Sequence, residues 1–512
     1  MNSARAQPQA TRGGARRGWI LAGLMCMMML AAMDTTIVST VIPQIVGDLG
    51  GLGLVSWVFS IYVLAQTVTI PVYGKLSDLF GRKPVLVVGT LIFLAGSVAS
   101  SLSWSMLSLI VFRGLQGLGA GAIMATVNTL AGDLYKVEER GAVQGWLSSV
   151  WGVAAIVGPL LGGALAEYAS WRWIFFVNVP VGLAALALLG VFLHESFERR
   201  EHRIDYAGAA LVLAALGTLI FGLLQGGQAW AWLSWQSALV FALTAGFFVA
   251  LVGAERRAAE PVMPGWLWRR RVLLGANLAT LGMGLVMMAP SVYLPTFLQS
   301  VRGQGAIAAG LVLACVSIGW PVASALSARV YLRFGFRDTA LIGAVIVLLA
   351  ALAFIAMPRP RLVWWIVIDQ IALGAGFGLV STPMLVGEQS VVGWAQRGVV
   401  TGSNMFSRYL GQSLGAALFG AIFNAAIATR LAAAPVELRG ALPHSVDTVI
   451  NALGSSETGA AAAAYLRDSI AFATRNLYWG MAAIALLMVL AVLIVPRRFA
   501  LVDDGVRGAA SA

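Results

Sequence analysis

"RGAVQG", Arg140 to Gly145, returns as "RGVVTG", Arg397 to Gly402, and "LGAG" at Leu118 to Gly121 returns at Leu373 to Gly376. Both pairs stand about 255 residues apart, and a shared spacing marks a duplication rather than chance. A weaker third echo pairs "GKLSDLFGRK", Gly74 to Lys83, with "ARVYLRFGFR", Ala328 to Arg337. The surroundings are apolar. Of 512 residues, 59% are hydrophobic and 11% charged, which excludes a soluble globular protein and indicates a polytopic membrane protein.

Counting about 18 or more mostly apolar residues as one crossing gives about fourteen helices. Six lie between Gly18 and Leu193, two near Tyr206 to Leu224 and Gln236 to Ala254, and six between Val272 and Val495. Each echo falls at the same place in a six-helix set. The expected fold is therefore all-α: two six-helix bundles in parallel pseudo-repeat, with two inserted central helices. The implied divisions are a basic tail 1–17, a first bundle 18–202, the insertion 203–265, a second bundle 266–498 and a tail 499–512. The long loop Ala428 to Asn476 lies within the second bundle.

Charge orients this arrangement. About 24 Lys/Arg fall on the side of the N-terminus against about 8 on the other, so both termini are expected in the cytoplasm and loop 428–476 outside, where a cysteine at Ser455 is expected to react with impermeant reagents. The net charge of +12 belongs to this topology and not to nucleic acid. The basic start is no cleaved signal, because the run from Gly18 to Ile42 is about 25 residues and "LAAMD" makes a poor cleavage site. Cys26 and Cys315 lie far apart in apolar runs, and His194, His202 and His444 form no ligand-spaced group, so neither a disulfide framework nor a metal site is expected. The lysines, Lys75, Lys83 and Lys136, lie in no phosphate-binding loop, which disfavours a primary pump.

Polar residues at membrane depth are the candidates for function. Asp34, in "LAAMDTTIVSTVIPQ", lies about 21 Å into a roughly 30 Å core if the hydrocarbon begins near Ile20. A charge there costs at least ~2.5 kcal/mol, so Asp34 is expected to open onto a cavity, where it can hold a proton or a cation. A structural hydrogen bond to Thr35, Ser39 or a neighbouring helix is the plain alternative. Arg113 must likewise face a cavity or a partner, with Gln116 on its helix face. Asp369 precedes the second "LGAG" by four residues where Arg113 precedes the first by five. An acid and a base facing one cavity, or a structural ion pair, both follow from that placement. Arg408 also stays within the membrane, whereas Glu388, near a helix end, is expected to be solvated. Trp57, Tyr62, Trp151, Met283, Met287 and Trp320 are candidates to line a pocket for flat lipophilic cations.

Two parallel six-helix bundles resemble major facilitator transporters. "GKLSDLFGRK" looks like that superfamily's loop signature between helices 2 and 3, carried here by Gly74, Asp78, Gly81, Arg82 and Lys83. Asp78 can cap or latch there, but the second-half echo has Leu332 in its place, so any latch is one-sided. "RGLQGLGAGA", Arg113 to Ala122, resembles the helix 4 motif of proton-coupled members. "GVAAIVGPLLGG", with Gly152, Gly158, Pro159, Gly162 and Gly163, resembles the helix 5 motif of antiporters. The Asp34 stretch, "WRWIFFVNVPVG" (Trp171 to Gly182) and "SRYLGQSLGAALFGAIF" (Ser407 to Phe423) are similar to the fourteen-helix drug:proton antiporters. The resemblance implies a secondary exporter of lipophilic, often cationic, compounds, driven by inward proton flux. It further implies no cofactor beyond the proton gradient, coupling through Asp34, Arg113 and Asp369, and a cavity formed by Gln116, Arg408 and the aromatic and methionine residues above. The expected partners are the bilayer, small molecules and protons, in a bacterial inner membrane. Loop 428–476, helix-favouring at Ala460 to Ala464, fits either a hairpin lid or the docking of a periplasmic adaptor. Export of an endogenous metabolite or lipid-like compound is the neighbouring alternative, and a membrane enzyme or passive channel the more distant one.

Overall fold

The computed structural model describes residues 9–51, 54–195, 205–226, 230–258, 260–357, 363–443, 449, 453 and 459–502. The start of the basic tail, His202, His444, Ser455 and the end of the chain lie outside the described residues. All fourteen expected helices are present: α1 Arg16–Thr40, α2 Trp57–Phe80, α3 Arg82–Ser101, α4 Met106–Leu134, α5 Val137–Tyr168, α6 Trp173–Phe192, α7 Tyr206–Leu223, α8 Trp235–Glu255, α9 Arg271–Ser300, α10 Ile307–Phe334, α11 Phe336–Ala356, α12 Val363–Ser390, α13 Trp394–Ala432 and α14 Ala460–Ile494. No β-strand occurs among the described residues. Local chemistry sets several starts. Ser105 accepts from Ser108 N to open α4, Asp205 accepts from Gly208 N (2.7 Å) to open α7, and Ser234 accepts from Ser237 N to open α8.

The duplication is visible in the backbone. Gly81 and Gly335 precede α3 and α11 with φ 91°, ψ 160° and φ 90°, ψ 162°, a left-handed conformation that glycine adopts without Cβ strain. Between helices, lipid offers no hydrophobic contrast, so close approach of small residues supplies contact. A Cβ built on Gly74 of α2 would lie 2.5 Å from the Gly398 carbonyl oxygen of α13, and one on Gly145 of α5 would lie 2.7 Å from the Ala325 Cβ of α10. The halves meet along these two seams.

The inserted pair stays peripheral. Helix α7 packs against α2 and α13, and α8 rests on α7, where Thr244 Oγ1 donates to Thr218 Oγ1 at 3.0 Å. The loop expected over 428–476 is shorter than its apolar pattern implies. Helix α13 runs on to Ala432 and α14 starts at Ala460, because alanine sustains helix beyond the membrane. The extensions are tied together by Arg430 Nη2 to Asp468 Oδ2 (2.6 Å) and by the Tyr465 hydroxyl donating to the Arg430 carbonyl (2.6 Å).

Candidate coupling site and gate

Asp34 lies in the last third of α1, fully buried. Its Oδ2 pairs with Arg113 Nη1 of α4, and its Oδ1 accepts from Gln116 Nε2 at 2.8 Å. The network closes on itself. Arg113 Nη1 also donates to Gln116 Oε1 (2.8 Å), Arg113 Nε donates to the Val58 carbonyl (3.3 Å), and the guanidinium lies 4.2 Å from the Tyr62 ring centroid. Gln116 Nε2 reaches Ser97 Oγ (3.3 Å), which also accepts from Asn178 Nδ2 (2.9 Å). The open cavity expected around Asp34 is therefore absent in this conformation, because a guanidinium and an amide supply what water would have. One nitrogen, Arg113 Nη2, is buried without a hydrogen-bond partner.

Helix α5 ties this cluster to the second half. Gly158 packs on Thr36 and Gly162 on Ile37 and Thr40, all on α1, while Gly141, Gly145 and Gly152 face Ala328, Ala325 and Ser317 on α10. Thr36 Oγ1 donates to the Ala154 carbonyl at 3.0 Å. Pro159 is exposed, and a Cβ on Gly163 would meet nothing within 4 Å.

The face bearing the N-terminus is shut. Asp78, at the end of α2, accepts from the backbone N–H groups of Gly398 and Val399 at 2.8 Å each and pairs with Arg82 at 2.9 Å. Arg82 also donates to Asp133 Oδ2 (2.9 Å) and the Trp394 carbonyl (2.6 Å), with its guanidinium 3.7 Å from the Trp394 ring centroid. Asp133 Oδ1 takes Arg397 Nη1 at 2.6 Å, and Arg140 Nη1 reaches Ser390 Oγ at 3.3 Å. The two repeated arginines thus cross the interface in opposite senses. Gly81 and Lys83 act within the first half. Glu195 accepts from the backbone N–H groups of Arg82 and Lys83 at 2.8 Å each, and the Gly81 bend sits against it. Lys83 Nζ donates to the Gly190 and Leu193 carbonyls.

The second half repeats the bend without the lock. Leu332 is 53% exposed at the place of Asp78, and Phe336, at the place of Arg82, packs 3.5 Å from the site of a Gly387 Cβ. Glu388, offset by 255 from Asp133, corrects the expectation of a solvated acid. It is 0% exposed and lies beside the Asn404 amide of α13, which also donates to Thr280 Oγ1 (3.1 Å).

The other candidates are dispersed. Asp369 does not meet Arg113; its Oδ2 accepts from Gln370 Nε2 (3.1 Å) and its Oδ1 has no partner. Trp57 packs against Phe221 of inserted α7, with the rings tilted by 35° and their centroids 5.6 Å apart. Trp151 packs on the first-half core, and Met283 and Met287 on the second, where Gln412 Nε2 approaches Met287 Sδ at 3.9 Å. Trp320 and Arg408 do share a cavity between the halves, of about 30 Å³, room for a water molecule or two.

Gly74→Ala pushes α2 off α13 and is expected to lower transport about tenfold, whereas Gly217→Ala, with nothing within 4 Å of its Cβ, leaves it near wild type. Uptake assays on matched expression levels check this, and equal rates in the two variants would show that the close contact is dispensable.

Two duplicated bundles that close one face, leave a midplane cavity and bury an ion pair within one bundle define a membrane carrier. A match to the Major Facilitator Superfamily covers residues 24–416, and the chain belongs to that family. It is 32% identical over 404 residues to Multidrug resistance protein 3 of Bacillus subtilis (strain 168), covering 79% of each chain. It is 31% identical over 410 residues to the multidrug transporter protein MdtP of the same organism, covering 80% of this chain and 76% of the relative. The solved structure of the human organic anion transporter MFSD10 (TETRAN) aligns over 93% of this chain and 99% of its own, with TM-score 0.61 and 14% identity, a likeness of fold.

Several gate residues carry little sequence signal. Arg140 and Arg397 stand in the repeat itself, but the nearest acids upstream of them are Glu139 and Glu388, so adjacency in sequence does not point to Asp133. Glu195, the donors at Gly398 and Val399, and Gln389, whose Nε2 donates across the halves to the Asn128 carbonyl at 3.1 Å, offer no such mark.

Proposed function

We propose that the protein is a proton-coupled exporter of lipophilic compounds, with the N-terminal face in the cytoplasm. The observation that carries this reading is the sealed Asp34 carboxylate, held by one guanidinium and one amide on a helix that α5 links to the opposite half. In the conformation described, the cytoplasmic gate is shut and Asp34 is bound to Arg113. A proton arriving from outside neutralises Asp34 and frees Arg113, which changes how α1 and α4 sit against α5. That shift favours substrate release and return of the carrier to its inward-open form, where the gate around Asp78 separates. Exposure to the less acidic cytoplasm then removes the proton and admits the next substrate. Asp369, with one oxygen unpartnered, is a second acid that can titrate when the second half rearranges. The multidrug names carried by the bacterial relatives support the lipophilic class.

The experiment is uptake into everted membrane vesicles under an imposed pH gradient, using a panel of fluorescent lipophilic compounds. Uphill accumulation that collapses with an uncoupler is expected. Equilibration indifferent to the uncoupler would show a passive pathway and sink the reading.

A further inference from the structure

The charge of the midplane cavity points to a substrate class. Asn128, Gln144, Thr280, Trp320 and Thr382 line it with amides, hydroxyls and one indole, and Arg408 is the one charged residue among its described lining residues. Arg408 lies about 21 Å along α13 from Trp394, near the middle of the membrane. Its Nε is buried without a hydrogen-bond partner, and among the described residues it forms no ion pair. The nearest aromatic face is Tyr409, 5.2 Å from the guanidinium.

The other deep arginines contrast with it. Arg82, Arg113 and Arg397 each hold an aspartate, and Arg140 is spent on carbonyl oxygens and Ser390. Nor is an acid at hand for Arg408. Asp34 is committed to Arg113 and Gln116. Asp369 precedes Thr382 by thirteen residues, about 20 Å along α12. Glu388, one turn beyond Leu385 of the cavity, is sealed beside Asn404 and makes no ion pair. A half-buried guanidinium at this depth is costly without a counter-charge, and an anionic ligand entering the cavity would offset that through paired, charge-assisted hydrogen bonds.

We propose that Arg408 is the anchor for acidic substrates once the halves part and the cavity, which here has room for water alone, widens, and that the compounds carried include lipophilic aromatic carboxylates and sulfonates, whose rings then lie against Trp320. This rests on the export reading above and narrows it. An electrical consequence separates substrate classes. Exchange of one proton for a monovalent cation moves no net charge, whereas exchange of one proton for a monovalent anion moves two. Anion export therefore responds to membrane potential.

The test uses everted vesicles with an acidic interior, fluorescein as the aromatic carboxylate and ethidium as the cation. Wild type is expected to accumulate fluorescein, more so when the vesicle interior is made positive, with ethidium uptake less responsive to that potential. Arg408→Gln should lower the fluorescein-to-ethidium uptake ratio about tenfold or more, and Arg408→Lys should fall between the two. An unchanged ratio in Arg408→Gln, or wild-type vesicles that take up ethidium but not fluorescein, would overturn the inference while leaving export intact. Uptake of neither dye by wild type would remove the export reading and this inference with it. Should Arg408→Gln fail to insert, the potential dependence in wild type still decides: equal responses of the two dyes count against the anchor.

Discussion

Asp34→Asn is expected to yield a chain that inserts in the membrane but no longer accumulates substrate uphill. The substitution leaves Arg113 with Gln116 Oε1, the Val58 carbonyl and the Tyr62 ring, none of which carries a full negative charge. Breaking a buried pair from one side costs about 3–5 kcal/mol, so thermal stability in detergent should drop. Stability loss alone would not prove coupling, and the double variant Asp34→Asn with Arg113→Gln separates the two effects. With both charges gone it should recover most of the stability and still lack gradient-driven uptake, at least about a hundredfold below wild type. Asp369→Asn should instead keep partial coupling and change which substrate charges are preferred. Uncoupler-sensitive, uphill uptake at the wild-type rate by Asp34→Asn would reduce the pair to a structural tie.

The second large effect is expected at Asp78. Its carboxylate takes two backbone N–H groups from α13 and a guanidinium at once. Asparagine keeps one acceptor oxygen and turns an NH2 group toward a donor, so one hydrogen bond and the ion pair are lost together. Only the bonds to Gly398 and Val399 cross to the second half, so losing one of them, about 1.5–3 kcal/mol for a bond to a charged group, shifts the populations by roughly one to two orders of magnitude. Asp78→Asn should therefore stand open on the N-terminal face and transport poorly. A cysteine at Thr401 reports this, because Thr401 is fully buried in the shut gate and accepts from Gln389 Nε2 at 2.9 Å. In a background with Cys26 and Cys315 replaced by serine, it should be protected in the parent and alkylated quickly in Asp78→Asn. Equal protection in both would mean the gate is held elsewhere.

How much of this was legible in the sequence depended on what kind of atom does the work. The duplicated fourteen-helix plan was open to reading, since hydropathy and a common spacing leave direct traces in residue type. Asp34, Arg113 and Gln116 stood out because charged and amide side chains are costly in a bilayer. That the three close on one another was not legible, because the pairing depends on helix rotations that no local pattern fixes. The partners of Asp78 were hidden for a different reason. They are the main-chain N–H groups of Gly398 and Val399, and every non-proline residue has one. Glu388 misled because a helix end ordinarily meets water, whereas here α13 covers it. Trp57 and Trp151 were ambiguous in principle, as an aromatic ring serves equally in a pocket, a helix contact or the lipid interface.

The unequal ends of the two halves bear on speed. Each turnover must undo the Asp78 and Arg82 lock once, and its strength adds to the barrier of the opening step. Had the second half kept an acid and a base where Leu332 and Phe336 now stand, a further lock worth about 3 kcal/mol would slow that step by roughly a hundredfold. Leucine and phenylalanine at those places add no ion pair there, so opening must undo the Asp78 contacts and the Arg397 and Asp133 pair but no duplicate of the Asp78 lock.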